Sequence, residues 1–367
     1  MKKRYSIPLI LIAASALLTA AGRLSNSFAD FYSDHIFHYI SVPYAFLSGL
    51  LPFSLGEMLV VAGLLLVFVG VPVLILLLIF RKKKRRETAF GALAFSLWVL
   101  AFVLVTESLN CFTLYGCTRF SQRYFSASEH NNKELVQLYS MLIDEANGLA
   151  KQVPRDENDR FTLTIDCDAE CKKAMKKAAD IYPQLKGYYP DPKPIAFSYF
   201  MSQTGTAGMY FPFSMESTYN GDMVAEVKPS VICHEYAHLK GFMQEDEANF
   251  ISFIATQGSD NAEVRYSGCL DALEYVHNQI YRNKVQSGYE LSEQISPQVK
   301  NDWFRFLPDN YWEENQDKEI LSTDTVGSVS ESVADSSMKL NGVEDGTASY
   351  SRMVNLLLDY YFSKSSE

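Results

Sequence analysis

Three uninterrupted apolar stretches mark the first third of the chain, and amphipathic patterns replace them afterwards. Residues 5–22, 59–80 and 88–106 carry no charge over 18, 22 and 19 positions. A helix of about 20 apolar residues crosses a bilayer core, so each stretch predicts a membrane span. The middle one, LVVAGLLLVFVGVPVLILLLIF, is nearly pure Leu, Val and Ile. Its Pro72 is tolerable in a membrane helix, where neighbouring groups satisfy the carbonyl that a proline frees. The first stretch follows Lys2, Lys3 and Arg4 and ends in LLTAAG, so it also has the form of a cleavable signal sequence. Either way the chain emerges on the same face. Residues 39–56 are uncharged as well, but Pro43, Pro52 and the aromatics among them fit an interfacial or re-entrant segment.

Beyond residue 110 the pattern becomes that of a mostly helical α+β domain. Residues 132–152 repeat apolar positions at helical spacing. Residues 168–179 form a basic amphipathic helix whose Lys172, Lys173, Lys176 and Lys177 read more simply as a solvated face than as a membrane-attracted one. A Pro- and Tyr-rich loop follows over 183–194, then short strands over 195–201 and 208–215. Residues 229–240 form a helix with Pro229 early in its first turn. Gly241 punctuates it, and 245–257 starts the next. Residues 271–283 are helical, 284–340 polar and irregular with an aromatic block at 303–312, and 349–362 a closing amphipathic helix. The expected organisation is a membrane anchor over 1–110 and one further domain over 111–367.

Charge sharpens this division. The formal net charge of -10 and mean hydropathy of -0.06 suggest an ordinary acidic soluble protein. Yet residues 1–110 hold ten basic and five acidic side chains, whereas 111–367 hold 23 and 38. The loop RKKKRR at 81–86 lies between the second and third stretches, and basic loops stay in the cytoplasm. The acidic domain is then extracytoplasmic. A pI near 5.2 disfavours a nucleic-acid partner. The expected partners are the lipid bilayer and a peptide or protein. All six cysteines fall beyond residue 110. An outside location permits local pairing of Cys111 with Cys117 and of Cys167 with Cys171, and buried free thiols are the competing reading.

The chemistry gathers at His234, Glu235 and His238, an HExxH pattern. Residues four apart on a helix share a face, so two imidazoles one turn apart can grip one zinc ion, with Glu235 beside them to act on a metal-activated water. A third protein ligand is needed. His35, His38, His130 and His277 lie far along the chain, which leaves a carboxylate. Glu245 is seven residues past His238, a rise of about 10.5 Å on an unbroken helix, too far to share a metal. The helix must therefore break, and Gly241 can adopt the left-handed conformation that ends it. Glu247 and Asp246 compete with Glu245, and all three also suit the positive end of a helix dipole. Glu245 is preferred because Asn249 lies four residues on, where its amide can orient a ligating imidazole. Lys240 stands where an apolar residue is usual. Cys233 points to another side of the helix and is not assigned to the metal.

The Glu-x-x-Ala-Asn run at 245–249 resembles the Glu-x-x-Ala-Asp of glutamate-type zinc peptidases, the gluzincins, with Asn in place of Asp. More broadly, the chain resembles an uncharacterised family of bacterial membrane proteins, a domain of unknown function with N-terminal spans and an extracytoplasmic gluzincin-like metal domain. The resembling stretches are LNCFTLYG at 109–116, GMYFPF at 208–213, the HExxH and EDEANF block, and LNGVEDGTASY at 340–350. The resemblance implies a zincin-like fold, one Zn²⁺ and a multi-pass location in the bacterial cell membrane. It also suggests Met209, Tyr210, Phe211 and Phe213 as a substrate-binding edge strand, although packed core aromatics would read the same way. Tyr350, Arg352, Arg265 and Tyr266 are possible transition-state stabilisers. The expected activity is a membrane-anchored zinc metallopeptidase that hydrolyses peptide bonds outside the cytoplasm. The alternative is a non-catalytic zinc-containing sensor or scaffold that binds peptide or cell wall.

Overall fold

The computed structural model describes residues 3–340 and 352–363. It is mostly helical with little strand. The chain forms two compact units. One comprises Met1–Cys117 with Phe211–Glu216, and the other Thr118–Tyr210 with Ser217–Glu367.

The first unit holds three helices long and apolar enough to cross a membrane: α1 (Lys3–Leu24), α2 (Leu55–Phe80) and α3 (Lys82–Gly116). They leave most of their side chains exposed, as a lipid-facing surface requires. Each runs past the apolar stretch that announces it, because flanking polar residues continue the helical hydrogen bonding. Pro72 does not end α2. Leu66–Gly70, just before it, widens into a π-helical turn that absorbs the missing N–H. Residues 39–56 are largely helical, with His38–Gly49 wound through Pro43. The turn Phe211–Glu216 belongs to this unit by close contact. The Glu216 carboxylate accepts from the Leu55 and Gly56 N–H groups at 3.1 and 2.6 Å, capping the N-terminus of α2. Tyr44 donates to the Phe213 carbonyl, and Asn110 Nδ2 to that of Pro212 at 2.7 Å.

The second unit is a helical stack beside a three-stranded sheet. Helix α4 (Asn132–Ala150) starts in a capping box between Asn131 and Glu134. It buries Leu135, Leu138, Tyr139, Leu142 and Ile143, the stripe its periodicity predicts. Helix α5 (Cys167–Ile181) keeps its lysines at the surface, where Lys172 pairs with Asp191 and Lys177 with Asp260. All six cysteines are free thiols, and the sulfurs of Cys167 and Cys171 lie 3.9 Å apart, well beyond a disulfide bond.

The strands are β1 (Lys193–Ile195), β2 (Gly208–Phe211) and β3 (Glu216–Asn220), in the order β1-β3-β2, with β1 parallel to β3. The expected strand over 195–201 is corrected: β1 stops at Ile195 and a helix follows at Ser198–Gln203. The Ser198 hydroxyl causes the change. It donates to the Ile195 carbonyl at 2.6 Å and accepts from the Gly221 N–H at 2.8 Å, closing a turn.

Three helices then form the centre of this unit. They are α6 (Lys228–Leu239), α7 (Glu245–Gln257) and α8 (Ala262–Arg282). Helix α7 is buried nearly all round, with Phe250, Ile251, Phe253 and Ala255 essentially inaccessible. Helix α8 begins well before the expected start at 271. Asn261 caps it by accepting from the Glu263 and Val264 N–H groups, an N-cap that is itself a sequence signal. The span 284–340 also holds more helix than expected, at Gln286–Ser292, Pro297–Asp302, Tyr311–Glu314 and Thr323–Leu340. Ser296 followed by Pro297 starts one of these by the usual cap chemistry. Helix α9 (Arg352–Phe362) buries Met353, Val354, Leu357 and Leu358.

Candidate metal centre

His234 and His238 lie one turn apart on α6, on the same face. The helix ends where the spacing to Glu245 requires. Gly241 has φ 97°, and two hydrogen bonds close the turn: Gly241 N–H to the His238 carbonyl at 2.9 Å and Phe242 N–H to that of Ala237 at 3.2 Å. An alanine there would be strained by its Cβ. The reversal sends the chain back as α7 and brings Glu245, at its first position, to the histidines. Glu245 Oε2 lies 3.2 Å from His234 Nε2, Glu245 Oε1 3.6 Å from His238 Nε2, and the two Nε2 atoms 3.0 Å apart. Among the described residues this is the one group of His, Cys, Asp and Glu whose ligand atoms converge on a point.

These distances fit a metal ion. Ligand atoms about 2.0–2.1 Å from a tetrahedral ion stand roughly 3.3 Å from one another, and the three separations bracket that value. The proton positions argue the same way. His234 Nδ1 faces Asn249 Oδ1 at 2.6 Å, and His238 Nδ1 faces the Phe242 carbonyl at 2.7 Å. Both Nδ1 atoms face acceptors and so carry the hydrogens. The two Nε2 lone pairs then point at each other and at a carboxylate. Three such acceptors need a cation between them, a proton on His234 Nε2 or a metal ion in its place.

The electrostatics show that demand. Burial disfavours a charged His234, but the Glu245 carboxylate overrides it and lifts the imidazole to about 9. Burial likewise disfavours ionised Glu245, and the two imidazoles hold it well below the usual carboxylate range. Glu235 is 4% exposed, and burial pushes it up to about 7 against the pull of both histidines. Its Oε2 has no hydrogen-bond partner among the described residues.

The acids after Glu245 have other employment. Glu247, the alternative ligand, accepts from the Ser121 N–H at 2.9 Å and the Ser121 hydroxyl at 2.5 Å. Asp246 pairs with Arg119 at 2.8 Å and with Arg352 at 2.7 Å. Arg352 is thereby placed as an anchor of α7. Arg265 donates to the Ser259 carbonyl at 2.8 Å, and Tyr266 to Asp302 at 2.6 Å. None of these contacts brings a donor to the metal group. Tyr350 lies outside the described residues. Lys240, anomalous in the sequence, turns away: its ammonium donates to the Tyr188 carbonyl at 2.8 Å and lies 3.9 Å from the centre of the Tyr189 ring. Burial lowers it to about 7. Cys233 is fully buried and is not among the converging ligand atoms.

Strand β2 runs beside this helix at the edge of the sheet. Met209 is 40% exposed, and the Tyr210 ring lies 6.3 Å from that of His238. Phe211 ends the strand and Phe213 lies in the turn beyond it. Three further residues shape the site without a sequence pattern to announce them. At Gly208 a Cβ would stand 2.5 Å from Glu235 Oε1, so only glycine lets the strand approach that carboxylate. Tyr275 receives the Asn249 Nδ2 hydrogen bond at 2.9 Å and fixes which way that amide faces. Ser121 diverts Glu247. Each is a close approach between distant segments, which leaves no periodic trace along the chain.

The model of DUF3810, described as a protein of unknown function, matches residues 32–358. The chain belongs to that family. No curated protein and no solved structure matches it significantly. The match spans the last two membrane helices and all of the metal group, so both are features within the family's extent.

Proposed function

We propose that this DUF3810 chain is a membrane-anchored zinc metallopeptidase with a zincin-like domain. The observation that carries the reading is the convergence of two imidazoles and a carboxylate beside Glu235, a buried carboxylate with one oxygen unpartnered. A purely structural metal site is normally closed by four protein ligands. Here three protein ligands would hold the ion, which would leave a position for water, and Glu235 is the buried acid on the same helix that could act on it. A scaffold that only bound peptide would not need that acid, which disfavours the non-catalytic reading.

His234, His238 and Glu245 would hold the ion. When bound, zinc acidifies a water and polarises a carbonyl. The chain's own part is proton handling. Glu235 takes the proton of the attacking water and passes it to the amine nitrogen as the peptide bond breaks. Its elevated affinity for protons, set by burial, suits both steps. Asn249 and the Phe242 carbonyl keep each imidazole turned with Nε2 inward. An extended peptide would add to the edge strand β2 through backbone hydrogen bonds, with Gly208 letting it lie against Glu235.

The basic loop at 81–86 supports a cytoplasmic position for that loop and an extracytoplasmic one for the metal domain. The test is direct. Full-length protein and its Glu235→Gln variant are assayed for bound zinc and for cleavage of a peptide library. Equal zinc with hydrolysis lost in the variant supports the reading. Equal hydrolysis sinks it.

A further inference from the structure

A second feature lies near the metal ligands, at the other end of α6. A cavity of about 170 Å³ opens between the start of α6, the middle of α8 and the segment 302–306. A cavity of ~150 Å³ already admits a benzene-sized guest, so a side chain fits. Four carboxylates line it: Glu226, Asp271, Glu274 and Asp302.

Two of them are neutralised within the protein. Glu226 pairs with Arg305 at 3.3 Å, and Asp302 with Arg155 at 2.8 Å while accepting from Tyr266. Asp271 and Glu274 are different. They stand three residues apart on one face of α8, where side chains meet. Neither has a hydrogen-bond or ion-pair partner among the described residues. An independent observation lies beside them. Trp303 lines the same cavity, is 8% exposed, and its Nε1–H donates to no acceptor among the described residues. A buried indole N–H is normally hydrogen-bonded. The cavity therefore presents two carboxyl groups and one N–H donor that are unmatched among the described residues. Its carboxylates do not converge on a point as the metal ligands do, so it is shaped for an extended ligand rather than a bare ion. Ser230, which lines the cavity, precedes His234 by four residues on α6, which sets the cavity about one helical turn from the metal ligands.

We propose that this cavity is a subsite for a positively charged organic group of the peptide, an ammonium or guanidinium. Asp271 and Glu274 supply the counter-charge, and the Trp303 N–H donates to a carbonyl of the same ligand. This rests on the peptidase reading and names its substrate class: peptides with a cation near the bond to be cut.

The test uses full-length Glu235→Gln protein in detergent, and the fluorescence that Trp303 contributes, obtained by difference against the Trp303→Phe variant. Four probes are titrated. Nα-acetyl-lysinamide carries only a side-chain cation, norleucinamide only a terminal ammonium, lysinamide both, and Nα-acetyl-norleucinamide neither. At least one of the singly charged probes should bind ten-fold or more tightly than the neutral one. Its identity tells a side-chain cation from a chain terminus. The Asp271→Asn/Glu274→Gln variant should erase that advantage. If charged and neutral probes bind alike, or the advantage survives the double substitution, the proposal is overturned. The four-probe comparison leaves Asp271 and Glu274 in place, so a folding defect of the double variant cannot hide the answer. Hydrolysis is read separately with wild-type protein. Cation-selective binding without cleavage sinks the peptidase reading and leaves the subsite standing. Cleavage with no preference for a cation sinks the subsite alone.

Discussion

The metal end and the cavity end of helix α6 both collect negative or lone-pair atoms that the protein leaves unmatched. They differ in how those atoms are arranged. At the metal end, His234, His238 and Glu245 bring three ligand atoms within 4.8 Å of one another. At the other end, Asp271 and Glu274 border a cavity of about 170 Å³. Convergence selects a small cation of high charge. Dispersal around a void selects a larger, softer one. The contrast also sets acids that have no partner among the described residues against neighbouring acids that are matched. Asp246 has two arginines and Glu247 has the N–H and hydroxyl of Ser121.

The largest expected effect separates chemistry from binding at the metal end. Glu235→Gln should slow hydrolysis by roughly 10²–10⁴-fold, the usual worth of a general acid–base group, with metal content unchanged. Gly208→Ala comes next, since its Cβ would push the Glu235 carboxylate. A displacement of about 1 Å can cost on the order of 10²-fold in turnover, again with metal retained. Steady-state kinetics beside metal analysis would expose a loss of metal instead.

Ligand substitutions then divide the two ends. Glu245→Gln should weaken metal binding by at least about 10²-fold, whereas Glu274→Gln should leave it alone. Asn249→Ala should fall between, at about 10–100-fold, because it frees the His234 ring without removing a ligand. Competitive titration with a zinc chelator measures all three, and a Glu274→Gln loss matching that of Glu245→Gln would erase the distinction.

The smallest effects are in pH. His234 must be neutral to ligate, and in the metal-free protein it titrates at about 9. Metal binding at pH 7 should therefore release a proton, and affinity should climb until about pH 9. Calorimetry in buffers of different ionisation enthalpy reads that proton. At the cavity end the linkage acts on stability. Burial raises Asp271 to about 6, and burial followed by the neighbouring Asp271 raises Glu274 to about 7. Their folded values exceed those of the unfolded chain. The associated stability is thus full below about pH 4 and lost as the pH rises through 6 to 7. Both groups are partly exposed, so the change should be under ~1 kcal/mol. A thermal melt of Glu274→Gln should show a shallower decline over that window.

Much of the fold and of the metal group is legible in the amino-acid order alone. The three apolar stretches stand out because a bilayer sets a length that few soluble helices reach. His234, Glu235 and His238 are legible because helical spacing alone puts them on one face. Glu245 is reachable by arithmetic on helix rise together with Gly241. The strand expected after Ile195 gives way to a helix because one serine hydroxyl outweighs local β propensity. Helix α8 extends further than its apolar periodicity suggests because Asn261 caps it a full two turns earlier. Arg265, Tyr266 and Arg352 have the chemistry of oxyanion donors, yet each is committed to an acid or carbonyl that sequence spacing cannot reveal.

The sequence by itself determined the membrane helices, the HExxH face and the break at Gly241, since each depends on residues within a few turns of one another. Only the tertiary structure decided that Glu247 turns to Ser121, that Gly208 presses on Glu235, and that Asp271 and Glu274 face a void with Trp303. Those outcomes join segments tens to more than a hundred residues apart, and nothing local records which acid receives a partner and which is left for a ligand.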